Sequence, residues 1–442
     1  MIKLSDHFSY KRILRFTLPS VVMMVFTSIY GVVDGFFISN FVGKTEFSAV
    51  NFVMPLLMML AGVGFMFGAG GSALISKTLG EGDGIKANKQ FSLFIITTAV
   101  LGSIIAIIGM IVIRPISALL GAEGAMLDAC ELYGRIILCA LPFFMLQLEF
   151  QSFFVTAERP KLGLICTIIA GVTNMVLDAL LVAVIPLGLV GAALATALSQ
   201  VVGGLVPLIY FLLPNKSLLR IGKPIFDAKA LIKASTNGSS ELLNNIAMSL
   251  VGMLYNVQLL KYAGENGVAA YGVIMYVSFV FSSMFIGFSI GTAPIVGYHF
   301  GAKNSLELKS ILKKSAIIVA VGSITMTLLA EILATPLSKL FVSYDQELLE
   351  LTKRAFFIYS FSYLAMGFAM FASGFFTALN DGLTSAILSF MRTLVFQISM
   401  VFLLPLAMGI DGIWLSVVIA ETLALVLSVI FLFAKRKKFN YM

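Results

Sequence analysis

Asn174 and Asp178 stand four positions apart in Gly-Val-Thr-Asn-Met-Val-Leu-Asp, inside a run that is otherwise apolar. On a helix that spacing puts both on one face, one turn apart. An aspartate at the centre of a membrane helix costs about 2.5–3.5 kcal/mol by insertion scales, so it is retained for a partner, an ion or a proton. Thr196 follows after a Gly-rich restart, and Asp34 lies in Gly-Val-Val-Asp-Gly within the first apolar run. Counted along each run, Asp34, Asp178 and Thr196 reach the same half of the membrane. Carboxylate, amide and hydroxyl oxygens are hard donors that suit a monovalent cation. Two neighbouring carboxylates that repel one another also suit a shared proton. The chemistry these residues offer is the holding of Na⁺ or H⁺.

Other polar residues in the apolar runs are weighed against plainer roles. Gln151 lines the same cavity or hydrogen-bonds between helices; Glu149, two positions away, faces another direction and is a second candidate for lining a cavity. Glu241 opens the seventh run, where the helix dipole and water make a carboxylate inexpensive; the other reading is a cavity-lining acid. Arg392 and Glu421 are expected to pair. Pro19, inside the first run, removes one backbone bond and predicts a kink, either static or a moving hinge. Gly62 to Gly71 lacks the Lys-Ser/Thr ending of a phosphate loop and reads as close helix packing through small residues. His7 and His299 have no triad or metal spacing, and Cys130, Cys139 and Cys166 form no disulfide framework or metal site. Nothing here reads as an enzyme, no ATP-binding motif is present, and no cofactor is expected beyond a coupling ion.

The elements that must hold these residues are membrane helices. Of 442 residues, 59% are hydrophobic and 12% charged, with mean hydropathy +1.01; soluble domains carry about 25% charged residues. The first ten residues are polar and the first apolar run is too long for a secretory signal, so that run is expected to remain as a helix. Twelve runs are long enough to span, at about 20 residues each: 13–38, 48–76, 91–113, 132–157, 162–185, 188–213, 240–260, 269–298, 315–334, 355–378, 383–407 and 410–434. The net charge of +8 does not point to nucleic acid, because the basic residues flank the spans. With the N-terminus taken as cytoplasmic, 22 Lys and Arg fall inside and 7 outside, which puts both termini inside. The longest hydrophilic connection, about 214–239, falls at the midpoint. Across it the chain repeats with a shift of 221: Gly70 matches Gly291, Pro115 matches Pro336, Phe150 to Ala157 echo Phe371 to Ala378, and Gly188 matches Gly409. Two parallel six-helix repeats, 1–217 and 218–442, are expected to flank a cavity near mid-membrane. The acids do not repeat, since Asp34, Asn174, Asp178 and Thr196 map onto Tyr255, Val395, Ser399 and Val417.

With Pro19 and Asp34 in helix 1, Gln151 in helix 4, Asn174 and Asp178 in helix 5, Thr196 in helix 6 and the paired Gly70–Gly80 and Gly291–Gly301 segments, the chain resembles the multidrug and toxic compound extrusion (MATE) transporters over nearly its full length. Its pattern is most similar to the DNA-damage-inducible-F-like bacterial branch. The resemblance implies an all-α membrane protein of twelve transmembrane helices in two six-helix bundles related by pseudo-two-fold symmetry. It implies a monomeric, multi-pass inner-membrane antiporter that exports small-molecule drugs and dyes, mainly lipophilic cations, as Na⁺ or H⁺ enters. The ion would sit at Asp34, Asn174, Asp178 and Thr196, and Pro19 would act as the hinge. Another branch uses acids in helices 7 and 10; here helix 10 has none. A lipid-linked-precursor flippase of the same superfamily is the alternative, against which the excess of buried acids counts.

Overall fold

A computed structural model describes residues 2–343 and 345–442. Among these the secondary structure is helical throughout. In the first half, α1 (Tyr10–Phe41), α2 (Lys44–Gly80), α3 (Gly84–Leu119), α4 (Gly124–Thr156), α5 (Pro160–Asp178) and α6 (Gly188–Leu212) run back and forth, and α5 is extended by a π-helical turn, Ala179–Val184. In the second half follow α7 (Ala228–Gly301), α8 (Ser305–Val342), α9 (Gln346–Ser360), α10 (Tyr363–Ala378), α11 (Gly382–Phe390), a π turn Met391–Phe396, α12 (Gln397–Met408) and α13 (Ile410–Phe439).

The 74-residue α7 is two spans, because its backbone leaves the helical region at Gly264 (φ 60°, ψ −151°). Gly264 is the repeat partner of Gly43, the positive-φ residue that separates α1 from α2. The two arms of α7 therefore repeat α1 and α2. The pairs Gly188 and Gly409 (φ 60° and 59°), and Gly82 and Lys303 (φ 87° and 56°), repeat in the same register. With α9 and α10 forming one span bent by 48°, and α11 running through its π turn into α12, the described residues carry twelve spans in two bundles.

Two differences from the sequence reading have clear causes. Residues 228–239, expected to belong to the midpoint connection, form the first three turns of α7. Their buried face is small because it packs against backbone: a Cβ at Gly70 would clash with Ala234 and Gly238, and one at Gly238 with Met66; Lys229 and Lys233 lie on the exposed face. Low hydropathy there reflects close helix contact as well as the exposed lysines. The spans are also longer than their apolar windows, as for α8, which runs from Ser305 to Val342 where 315–334 was expected. α1 is one continuous helix through Pro19.

Each half has its own apolar core, one built from α1–α6 around Tyr133, Leu141 and Met145, the other around Tyr255, Ile274 and Trp414. Two more clusters join the halves near the face that carries both termini. One places Leu4, Phe8 and Phe16 with Phe375, Phe376 and Tyr441; the other places Phe150 and Phe211 with Ala230 and Ala234. Hydrogen bonds between the halves concentrate at this terminal face. Phe8 N donates to Glu307 Oε1 (2.8 Å), Lys314 Nζ to the Phe8 carbonyl (2.6 Å) and Asn380 Nδ2 to the Ala73 carbonyl (3.1 Å), while within the first half Leu4 N donates to Glu158 Oε1 (2.6 Å). The bundles are thus sealed to each other at the terminal face, with the Ser28–Ser283 hydroxyl pair the cross-link nearest mid-span.

Candidate functional site

Three helices of the first bundle bring the sequence-predicted oxygens together. Asp34 comes from α1, Asn174 and Asp178 from the end of α5, and Thr196 from α6; all four are buried, Asp178 completely. Thr196 Oγ1 donates to Asp34 Oδ1 at 3.2 Å. The Asn174 amide and the Asp178 carboxyl face the same Asp34 carboxyl. Neither oxygen of Asp178, nor Asn174 Oδ1, has a hydrogen-bond donor among the described residues. Two carboxyl groups facing one another without a donor between them repel unless a proton or a cation lies there.

Local structure explains the placement. Asn174 and Asp178 share a face of α5 at the i, i+4 spacing. Immediately after Asp178 the helix widens into the π turn Ala179–Val184, an irregularity frequent at functional sites. Gly188, at φ 60°, then reverses the chain, and Gly191 lies against the Leu181 carbonyl, so α6 returns tightly beside α5. Thr196, two turns farther along α6, is carried to the level of Asp34.

Three tyrosines around the site and the Gln147 amide were missed. Tyr30 lies one turn before Asp34 on α1 and reaches the Gln147 side chain. Tyr133 of α4 reaches Thr196 and is wholly buried. Tyr276, on the second arm of α7, lies within electrostatic range of Asp34 from the other bundle. The i, i+4 pairs Tyr30/Asp34 and Gln147/Gln151 carried a signal for the first; nothing local marked Tyr133 or Tyr276.

The remaining candidates lie elsewhere. Gln151 lines a small cavity with Gln147, Thr167 and Gly203, toward the terminal face from the acids. Glu149 is fully buried on the other side of α4, against the Gly68 backbone and facing Thr98, away from the acid pair. Glu241 does not open a helix. It lies more than three turns inside α7, half-buried, between Gly238 and Asn245, which adjoin α2, and within electrostatic range of Arg392. The solvated helix-end reading failed because the polar start of α7 was taken for a linker. Arg392 Nε donates to Glu421 Oε2 at 2.8 Å, with both side chains largely buried. In the second bundle the position equivalent to Asp34 is Tyr255, whose hydroxyl donates to Gln397 Oε1 at 2.9 Å. A neutral hydrogen bond stands where the first bundle has its acids. Pro19 lies inside α1, 15 residues toward the terminal face from Asp34.

Comparison with known proteins follows the internal repeat. A family model described as MatE matches twice, over residues 19–180 and 242–403. The chain is 27% identical over 430 residues to the multidrug export protein MepA of Staphylococcus haemolyticus, covering 97% of this chain and 94% of that protein. Among solved structures it superposes on an outward-facing multidrug resistance MATE family transporter of the MOP superfamily with TM-score 0.93 at 21% identity, covering 99% of this chain and 98% of the other. A MATE crystal structure in the straight conformation superposes with TM-score 0.92, at the same identity and coverage.

Proposed function

The chain belongs to the MatE family of membrane transporters, and from that premise we propose that it is a secondary active multidrug exporter. It exchanges lipophilic, mainly cationic compounds for Na⁺ or H⁺ by alternating access, as a monomer in the inner membrane with both termini cytoplasmic. The lobes 1–217 and 218–442 are the two bodies that rock against each other, and Pro19 is the point at which α1 bends. The observation that carries the reading is the convergence of Asp34, Asn174, Asp178 and Thr196 from three helices, with the Asp178 carboxylate donor-free against that of Asp34. Such a group of oxygens is complete only with a cation or proton in it, and a bound ion is what a driving gradient can act on.

The terminal face, where the bundles are sealed, is cytoplasmic in this reading, because Lys and Arg crowd the connections there. The sealed state is then the outward-facing one, in which the buried acid pair exchanges its ion with the outer side. Phe and Met, 38 and 22 in number, supply an adaptable apolar lining for chemically varied drugs. Uncompensated carboxylates favour cationic ones. Export of an anionic lipid phosphate would need a free cation in the cavity, and the Arg392 guanidinium is already held by Glu421.

The test is dye efflux in everted vesicles with a pH gradient and a Na⁺ gradient imposed separately. One of the two gradients is expected to drive ethidium transport, and Asp178→Asn to abolish it at normal membrane abundance. Transport insensitive to both gradients would refute ion coupling.

A further inference from the structure

Between the acid pair and the terminal face, α4, α5 and α6 turn polar faces toward one another. On α5 the face that begins with Asp178 and Asn174 continues through Gly171 to Thr167. On α6 the face of Thr196 continues through Gln200 to Gly203, and on α4 it carries Gln147 and Gln151. Each interval is three or four residues, so each set lies along one side of its helix. Thr167 stands eleven residues before Asp178, a descent of about 16 Å at the helical rise.

This column is buried and its oxygens lack donors. Gln147, Gln151 and Gln200 are 6%, 3% and 6% exposed. In all three the side-chain carbonyl oxygen has no hydrogen-bond partner among the described residues. The Thr167 hydroxyl donates to the Gly163 carbonyl at 3.0 Å, which leaves only its lone pairs to face a ligand. Gln147, Gln151, Thr167 and Gly203 border a cavity of about 10 Å³, near the lower limit for one water. Leaving the amide oxygens of Gln147 and Gln151 unpaired beside it in a membrane interior is costly, and a bound cation or water in the cavity removes that cost. Above the cavity α1 closes the column. Tyr30 and Phe26 sit over Gly171, where a Cβ would approach Tyr30 Cδ1 to 2.8 Å, and the Tyr30 hydroxyl reaches Gln147.

We propose that this cavity is a transit site for the coupling cation, a neutral station through which the ion held at Asp34 and Asp178 passes toward the terminal face within the first bundle, with Tyr30 as its gate. The proposal rests on the reading of the acid pair as the ion site. Amide and hydroxyl oxygens can replace part of a monovalent cation's hydration, or hold the water that hands on a proton. Having no charge, they release what they hold. The acids retain the ion, and the amides let it move.

The test uses the full-length protein in proteoliposomes. Turnover of drug efflux is measured beside ion affinity, the latter from the ion-dependent change in drug binding. Gln147→Leu and Gln151→Leu are expected to lower turnover about tenfold while ion affinity at the acids stays within about twofold of wild type. Gln151→Met, similar in length but without the oxygen, is expected to do the same and controls for packing. Gln151→Glu is expected to slow turnover by trapping the ion and to add a second, tighter ion-binding event. Separate Na⁺ and pH gradients show whether the passing species is the metal ion or a proton on water. Wild-type turnover in the leucine and methionine variants overturns the proposal. So does a loss of affinity that matches the loss of turnover, since the glutamines would then merely support the acids. If Asp178→Asn leaves wild-type coupling intact, it is the acid-pair reading that fails.

Discussion

At the residue scale the proposed chemistry rests on two carboxyl groups that face one another without a donor between them. Thr196 Oγ1 donates a hydrogen bond to Asp34, and among the described residues Asp178 receives none. Asp34→Asn and Asp178→Asn each supply an amide donor where the site needs negative charge, so each is expected to abolish coupled export while leaving insertion intact. Ethidium efflux and membrane abundance, measured together, check this, and normal efflux at normal abundance in either variant would sink the assignment. Thr196→Val keeps the shape and removes one hydrogen bond to a charged group, worth about 1.5–3 kcal/mol. The expected result is ion affinity weaker by about tenfold or more, with drug binding in the absence of ion unchanged; titration of the ion against bound drug reads both. These residues were legible because acids and amides stand out in an apolar run, and because one helical turn separates Asn174 from Asp178. Tyr133 was not legible. Its role depends on α4 crossing α6 at the level of Thr196, which no local spacing encodes. Glu149 shows the opposite limit: its residue type announced a site, but the face of α4 it occupies looks away from the acids.

At the element scale the number of spans could be read from hydropathy and the repeat from sequence. Gly264, in register with Gly43, is a further signal that the repeat reading did not use. The boundaries could not be read, because hydropathy reports contact with lipid and the ends of these helices contact one another. Residues 228–239 are the clearest case, since their buried face is small where it lies on the backbone of α2. The same limit hid the strap formed by residues 2–9. Leu4 and Phe8 are fully buried, Glu307 accepts from the Phe8 amide and meets His7 Nδ1 at 2.7 Å, and Lys314 holds the Phe8 carbonyl. The strap joins the start of α8 to Glu158 at the α4–α5 connection, so it ties the two bundles where they are sealed. Glu307→Gln keeps the shape and removes the charge from two of these bonds. The expected outcome is a shift toward molecules open at the terminal face, by about 1–3 kcal/mol. Spin labels at the exposed positions Lys86 on α3 and Lys309 on α8 would report it as a larger long-distance population. An unchanged distance distribution would show that the strap does not bear on closure.

At the scale of the whole molecule, the two bundles share a backbone plan and differ in charge. The first carries Asp34 and Asp178, and the second answers with Tyr255 hydrogen-bonded to Gln397. Arg392 bonds Glu421 and lies near Glu241, which leaves that cluster partly self-neutralised. In the proposed reading an ion therefore acts on one bundle, while a drug between the bundles touches both. If the ion and the drug compete for the acids, or favour opposite states of the sealed face, linkage requires each to weaken the other's binding by the same factor. A coupling of about 1–3 kcal/mol appears as a roughly 5–150-fold change in drug affinity. Asp178→Asn is expected to erase that change, because it removes ion binding while the apolar lining that holds the drug persists. Glu241→Gln is expected to preserve the ion effect, since Glu241 faces Arg392 in the other bundle. It should still lower affinity for cationic drugs, because it removes a carboxylate beside the interface and leaves Arg392 less compensated. Drug affinity in detergent, with and without Na⁺ and at two pH values, for wild type and both variants, decides the matter. If Glu241→Gln erased the ion effect and Asp178→Asn did not, the coupling ion would belong to the second bundle, and the donor-free carboxylate of the first would need another purpose.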